Sequence, residues 1–289
     1  MVRAYRPLPK FPSISITGNW CALNCKYCRG RVLNEMMHVY SPSQLYALCR
    51  KLKERYGIVG CLISGGFTRS GKLPIKAYLS TIRDLKRDLG LIVSVHAGMV
   101  DRKYAEELRR AGVDIVDLCL PDPKVSGEVM NLKIDWVDIE NTLDNLQKYG
   151  PPYTAPHILI GANYGELASE FELVSLLRDY DPYVLVLLVI LNVKGTPFEN
   201  ISPPSPMEVV KVFDHARKVL SRAELALGCM RPRGSYSEEL ELSLMEMGLV
   251  DRIVLPSSFK ANYIPLCCSL PREIEEEVLR LISGQGVSK

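Results

Sequence analysis

Short β-branched runs alternate strictly with longer amphipathic stretches along this 289-residue chain, and no other feature constrains its fold as much. The apolar runs fall at 13–17, 58–63, 91–96, 113–118, 156–160, 184–191, 224–227 and 251–255. Helical patterns lie between them at 42–55, 74–89, 102–111, 136–148, 166–178, 206–220 and 237–247, and a last one covers 271–282. Several open on a capping side chain, such as Ser41 before Pro42 and Asp135 before Trp136. Eight strand–helix units predict an α/β fold, a (β/α)8 TIM-type barrel that is full or nearly full. An open doubly wound sheet is the alternative. No Pro-, Gly- or Ser-rich linker divides the chain, so 1–289 reads as a single domain. Residues 256–289 are expected to form a C-terminal extension over the barrel mouth.

Composition narrows the classes of function. An apolar content of 47% supplies a full core, and a net charge of +3 forces neither nucleic acid nor anionic membrane as partner. The longest apolar run, 184–191, is far shorter than the roughly 20 residues that cross a bilayer. It reads instead as a strand buried on both faces of a parallel sheet. The first ten residues lack the apolar core of a signal peptide, so a cytoplasmic location is expected. Nine cysteines in such a chain point to metal binding more than to disulfides.

Three of those cysteines sit in eight residues, Cys21-Ala-Leu-Asn-Cys25-Lys-Tyr-Cys28, directly after the first strand. In a barrel that is where chemistry lies, at the C-terminal ends of strands. Three thiolates from one loop can hold three irons of a [4Fe–4S] cube and leave the fourth iron open to a small molecule. A closed zinc loop would need a fourth ligand, and the nearest candidate, His38, is ten positions on. Asn24 and Lys26 mark the segment as a loop and not an apolar core face.

The C-x3-C-x2-C spacing, with Tyr27 before the last Cys, resembles the signature of the radical S-adenosylmethionine (SAM) enzymes. That resemblance implies a [4Fe–4S] cluster on Cys21, Cys25 and Cys28. SAM would chelate the open iron through its amino and carboxylate groups. One electron from the cluster would cleave SAM to methionine and a 5′-deoxyadenosyl radical that abstracts hydrogen from a substrate.

The other strand ends are read in the same light. Ser64-Gly65-Gly66-Phe67 matches the position where the family binds the SAM amino group, although Phe67 replaces an acidic residue; a plain turn is the alternative. Ser94 and His96 would point the same way into the barrel, the His as a cofactor contact or a satisfied core residue. Asp117 could accept from ribose hydroxyls or cap the next turn. Gly161, in His157-Ile-Leu-Ile-Gly161, resembles the family's adenine-contacting stretch. After the seventh strand, Cys229, Arg231 and Arg233 could ligate a second cluster or clamp a carboxylate; a free Cys beside surface arginines is the bland reading. Cys267 and Cys268 precede the last helix.

The order Ser-Gly-Gly, Val-His-Ala-Gly, His-Ile-Leu-Ile-Gly, Gly-Thr-Pro and Gly-Cys-Met-Arg-Pro-Arg-Gly resembles a group of biotin synthase homologues. Some of that group act as one half of a two-protein lipoyl synthase. The resemblance implies sulfur insertion into an octanoyl chain, with Cys229, Cys267 and Cys268 as candidate ligands of an auxiliary cluster. Partners would be an octanoylated carrier protein or peptide, a second radical SAM subunit and an electron donor. The biotin synthase pattern of inner-strand cysteines is missing, since His96 and 155–160 stand in those regions. A single-cluster reaction like that of biotin synthase or methylornithine synthase, or a non-enzymatic iron–sulfur subunit, remain the alternatives.

Overall fold

All eight apolar runs become strands of one parallel sheet. The computed structural model describes residues 2–284. The elements run β1 (Arg3–Tyr5), β2 (Ser13–Ser15), β3 (Met37–His38), α1 (Pro42–Tyr56), β4 (Gly60–Ser64), α2 (Leu79–Leu89), β5 (Ile92–His96), α3 (Arg102–Arg110) and β6 (Ile115–Leu120). They continue with α4 (Ser126–Val129), α5 (Trp136–Tyr149), β7 (Tyr153–Ile160), α6 (Glu170–Leu176), β8 (Val184–Val189), α7 (Pro206–Val219), β9 (Glu224–Leu227), α8 (Ser235–Glu246), β10 (Arg252–Val254) and α9 (Arg272–Gly284). Short 3₁₀ turns precede α2, follow α6 and cover Arg31–Glu35.

The strand order is β1-β10-β9-β8-β7-β6-β5-β4-β2-β3, with every pair parallel. Among the described residues β1 and β3 do not pair, so the sheet curls into a barrel-like wall without closing by hydrogen bonds. Residues 6–12 carry the chain from one edge to the other.

Alternation along each strand sorts side chains into two layers. On β8, Leu185, Leu187 and Val189 pack outward against the helices, while Val184 and Val186 face the lumen. The helices form where the sequence caps them. The Ser41 side chain accepts from the Gln44 amide at 3.2 Å, and Asp135–Asp138 and Ser205–Glu208 form reciprocal capping boxes.

The lower lumen is filled by a plug. Leu266, Cys268 and Leu270 are buried there with Tyr5, Ala226 and Val254. Arg252, at the foot of β10, donates to the carbonyls of Cys268 at 2.6 Å and Leu270 at 2.7 Å. Glu275 of α9 accepts from Arg3 at 2.8 Å and from the Tyr5 hydroxyl at 2.7 Å, and Glu273 accepts from Tyr153 at 2.7 Å. Arg3 and Tyr153 open β1 and β7 and so stand at the N-terminal ends of their strands. The final helix therefore docks at the foot of the sheet and not over its mouth, whereas Ser257 and Ser258 stay beside the end of β10; 285–289 of the expected 256–289 extension lie outside the described residues. The apolar segment before the helix needs the apolar foot of the lumen, and the first-turn acids of the helix meet the basic and phenolic groups there.

Arg231 is also corrected. It is 1% exposed, and its donors go to Glu241 at 2.5 Å, Gly228 O at 2.6 Å, Val254 O at 2.8 Å and Ser237 Oγ at 2.9 Å. It ties β9, α8 and β10 together and offers nothing to a carboxylate ligand. Glu241 in turn accepts from the Ser257 and Ser258 amides at 2.8 and 2.9 Å. Glu241→Ala leaves a buried, uncompensated guanidinium and is expected to cost about 3–5 kcal/mol in urea unfolding. A loss below about 1 kcal/mol would contradict this role.

Candidate iron–sulfur and cofactor site

The cysteine loop is built by backbone contacts from two neighbouring strand ends. From β4, the Gly66 amide donates to Thr17 Oγ1 at 2.7 Å, Ala22 N–H to Phe67 O at 2.8 Å, and Phe67 N–H to Cys21 Sγ at 3.4 Å. From the turn after β6, Val129 O accepts from Lys26 N–H at 2.7 Å and Asn131 Nδ2 donates to Leu23 O at 2.7 Å. A Cβ on Gly66 would lie 1.8 Å from Trp20 O and 2.5 Å from Cys21 Cα, so only glycine admits the loop this close. Gly65 adopts φ 151, which also favours glycine.

Cys21, Cys25 and Cys28 share one apolar pocket with Leu23, Leu132 and Phe67. The Cys25 thiol is pushed up by its hydrogen bond with Cys28 and by burial, and Cys28 is pulled down by the same bond. Among the described residues no three His, Cys, Asp or Glu side chains converge on a single metal ion. The thiolates of a cube reach separate irons and need not meet the ~2.3 Å sulfur shell of one zinc. His38, the nearest further candidate in sequence, has its Nε2 2.8 Å from Leu33 O. The donor set is thus three thiols from one loop, with a backbone amide directed at Cys21 Sγ.

Tyr27 lies under this loop against Phe198, with ring centroids 6.3 Å apart, and burial pushes its phenol well up. Cys119 borders the same small cavity, as do Met130, Leu159 and Ala162. Burial raises its thiol to about 11. Lys26, Glu128 and Tyr164 latch the loop to its neighbours: Lys26 Nζ to Tyr164 Oη at 2.7 Å and Tyr164 Oη to Glu128 Oε1 at 2.6 Å. The latch was not read from the sequence; Asn131 and Tyr164, both non-glycines at positive φ, mark its neighbourhood.

Gly161 has a structural task. Its amide donates to buried Glu170 at 2.9 Å, its carbonyl accepts from Gly165 at 2.9 Å, and a Cβ would meet Pro204 Cδ at 2.6 Å.

One step deeper, Ser94, His96, Asp117 and His157 do come together, on β5, β6 and β7. Ser94 Oγ donates to Asp117 Oδ2, while Asp117 Oδ1 is buried with no partner among the described residues. His96 Nδ1 is 3.2 Å from Ser64 Oγ, and its ring stands edge-on to His157 at 5.7 Å. The His157 Nδ1 contact with Ala155 O at 2.9 Å assigns the proton there and leaves Nε2 as an acceptor. Asp117 pairs in register with His96 and Ala155, one inward position below Cys119, so this group lies below the cysteine loop.

Cys229, Cys267 and Cys268 are also brought within electrostatic reach of one another. Cys229 is exposed, Cys267 half-buried and Cys268 buried; desolvation by the surrounding atoms and neighbouring Cys267 push the Cys229 thiol up. Cys267 Sγ is 3.2 Å from Ser269 Oγ, and a thiol–thiol hydrogen bond with Cys268 lowers the Cys267 pKa while raising that of Cys268. Cys49 and Cys61 are fully buried between α1 and β4 and serve as small core residues.

Desolvation pulls His96 down to about 4 from 6.5. A His depressed on folding adds stability above its unfolded pKa, and that stability is lost as pH falls from about 6.5 toward 4. An NMR titration should place His96 near 4, and a midpoint above 6 would contradict its enclosure. Gly66→Ala should displace the cysteine loop and lower bound iron per chain after anaerobic reconstitution; iron content equal to wild type would contradict the contact.

Comparison with known proteins agrees with this geometry. The pattern of the Radical SAM superfamily matches residues 15–174. Biotin synthase of Allorhizobium ampelinum is 24% identical over 226 residues, covering 75% of this chain and 68% of that protein. Biotin synthase of Streptococcus agalactiae serotype V is 25% identical over 251 residues, covering 84% and 72%. Two solved structures share the fold. Methylornithine synthase has a TM-score of 0.60 at 16% identity, over 97% of this chain and 84% of that one. The FeFe-hydrogenase maturase HydG from Carboxydothermus hydrogenoformans has a TM-score of 0.64 at 18% identity, over 99% and 67%. With more than half of its length matched, this chain belongs to the radical SAM superfamily, whose cofactors are a [4Fe–4S] cluster and S-adenosylmethionine.

Proposed function

We propose that this radical SAM enzyme inserts sulfur into an octanoyl chain, as a component of a lipoyl synthase. The observation that carries the reading is that exposed Cys229, just past the end of β9, stands near enough to Cys267 and Cys268 for their charges to act on one another, apart from the three cysteines of the first loop. A second thiol set of that kind suits an auxiliary iron–sulfur cluster as sulfur source. The relatives named biotin synthase support sulfur insertion as the class of chemistry.

When bound at the reduced cluster, SAM supplies the one-electron chemistry that removes hydrogen from an unactivated carbon. The chain's own residues do the rest. Cys21, Cys25 and Cys28 hold the cluster, and the Phe67 amide donates to Cys21. The Gly65–Gly66 turn and Tyr27 shape the cofactor side. The sheet and its helices exclude water from the lumen. The partners that complete this reading are an octanoylated carrier protein or peptide and a second radical SAM subunit.

One observation favours a second reading. The wall from β4 to β7 is polar, with Ser64, Ser94, His96, His157 and an Asp117 oxygen that lacks a partner among the described residues. A single-cluster reaction on a polar substrate, of the kind run by methylornithine synthase, would use such a wall.

Iron and sulfide per chain after anaerobic reconstitution separate the two. Sulfur insertion predicts about eight irons in wild type and about four in either Cys229→Ala or the triple variant Cys21→Ala/Cys25→Ala/Cys28→Ala. About four in wild type and none in the triple variant would overturn the auxiliary cluster and leave the single-cluster reading.

A further inference from the structure

We propose that Asp117 supplies an oxygen ligand to the auxiliary cluster, completing the set begun by Cys229, Cys267 and Cys268. The inference rests on the auxiliary cluster proposed above and names the group that closes it. Three thiolates can ligate three irons of a cube, and the fourth iron then needs a further donor.

The sheet carries Asp117 to that thiol group. On β6 the side chains of Val116, Leu118 and Leu120 pack outward with the helices, so Ile115 and Asp117 turn inward. Asp117 stands one inward step above Ile115 and pairs in register with Ala155 of β7. Ile115 and Ala155 belong to the apolar cluster that encloses Cys268, with Cys267 packed against it. Tyr183, just before β8, marks the same place, since its hydroxyl donates to Ser269 O at 2.5 Å. Burial raises its phenol, and the charges of Asp117, Cys267 and Cys268 add to that rise against Arg252. The Cys267 thiol, lowered by its hydrogen bond with Cys268, is pushed the other way by burial and by the Asp117 charge.

Asp117 is also left with an oxygen to offer. It is 1% exposed, Ser94 donates to one oxygen, and the other has no partner among the described residues. A carboxylate and three thiolates drawn out of water repel one another unless cations stand among them. The irons of a cluster are such cations, and carboxylate oxygen is a ligand that iron accepts. Neighbouring polar groups are engaged elsewhere: Ser258 Oγ donates to Glu241 at 2.8 Å, and His96 Nδ1 is 3.2 Å from Ser64 Oγ. Cys119, one inward step higher than Asp117, borders the small cavity under the cysteine loop with Tyr27.

The test uses the full chain carrying Cys21→Ala/Cys25→Ala/Cys28→Ala, reconstituted without oxygen with Mössbauer-active iron, so that the auxiliary cluster alone contributes. This parent should hold about four irons, one of them with the larger isomer shift of an oxygen-ligated site. With Asp117→Ala added, that component should vanish and a chelator should strip one iron, leaving about three in a [3Fe–4S] species seen by EPR. Asp117→Cys should keep about four irons, all with thiolate parameters. Chelator-resistant iron equal to the parent and an unaltered spectrum in Asp117→Ala would overturn the ligand assignment and leave the auxiliary cluster standing. A parent that binds no iron would overturn the auxiliary cluster and this assignment with it. Cooperative urea unfolding of the apo chains checks that each variant folds. Where Asp117→Ala does not, Asp117→Cys decides, and an oxygen-ligated component persisting there would overturn the assignment.

Discussion

The site depends on one close approach, the bare backbone of Gly66 against Trp20 and Cys21. With 1.8 Å between Trp20 O and the place a Cβ would take, the turn after β4 and the cysteine loop can meet only through glycine. The contact lets Ala22 and Phe67 exchange a backbone hydrogen bond and puts the Phe67 amide on Cys21 Sγ. A loop that must hold three thiols in fixed relation gains that rigidity from strand ends already fixed by the sheet. The turn after β6 closes the other side through Val129 and Asn131.

Below that loop the lumen has two kinds of wall. β4 to β7 present serines, histidines and Asp117, whereas β8 to β10 present Val186, Leu188, Ala226 and Val254. Arg252 pins the carbonyls on either side of Ser269, and so fixes the segment that carries Cys267 and Cys268. Its charge is compensated by Glu224, which also meets Arg3. The ion pairs at the foot of the sheet therefore set where the second thiol group stands. This arrangement links the docking of α9 to the proposed auxiliary site.

Much of this was legible in the sequence, because strand and helix periods are local properties. Each of the eight apolar runs forms a strand, and the helix starts at Pro42, Arg102, Trp136 and Pro206 follow their caps. The three-residue β1, the two-residue β3 and the single turn α4 are too short to show a period, and tertiary contacts create them. The cysteine loop was legible because its spacing is itself the chemistry. Arg231 was not, because nothing local distinguishes a guanidinium at a barrel mouth from one buried against Glu241. The same applies to Gly161, whose need for glycine comes from Pro204, far along the chain. The place of the last helix depended on which end of the lumen is apolar, a property of the assembled sheet.

The central claim is that Cys21, Cys25 and Cys28 hold a cluster that cleaves S-adenosylmethionine. The most direct measurement is release of 5′-deoxyadenosine from the reduced, reconstituted protein supplied with SAM, in wild type and Cys25→Ala side by side. The account predicts that wild type releases it and that Cys25→Ala does not. Release by the variant at the wild-type rate would contradict the assignment of the site.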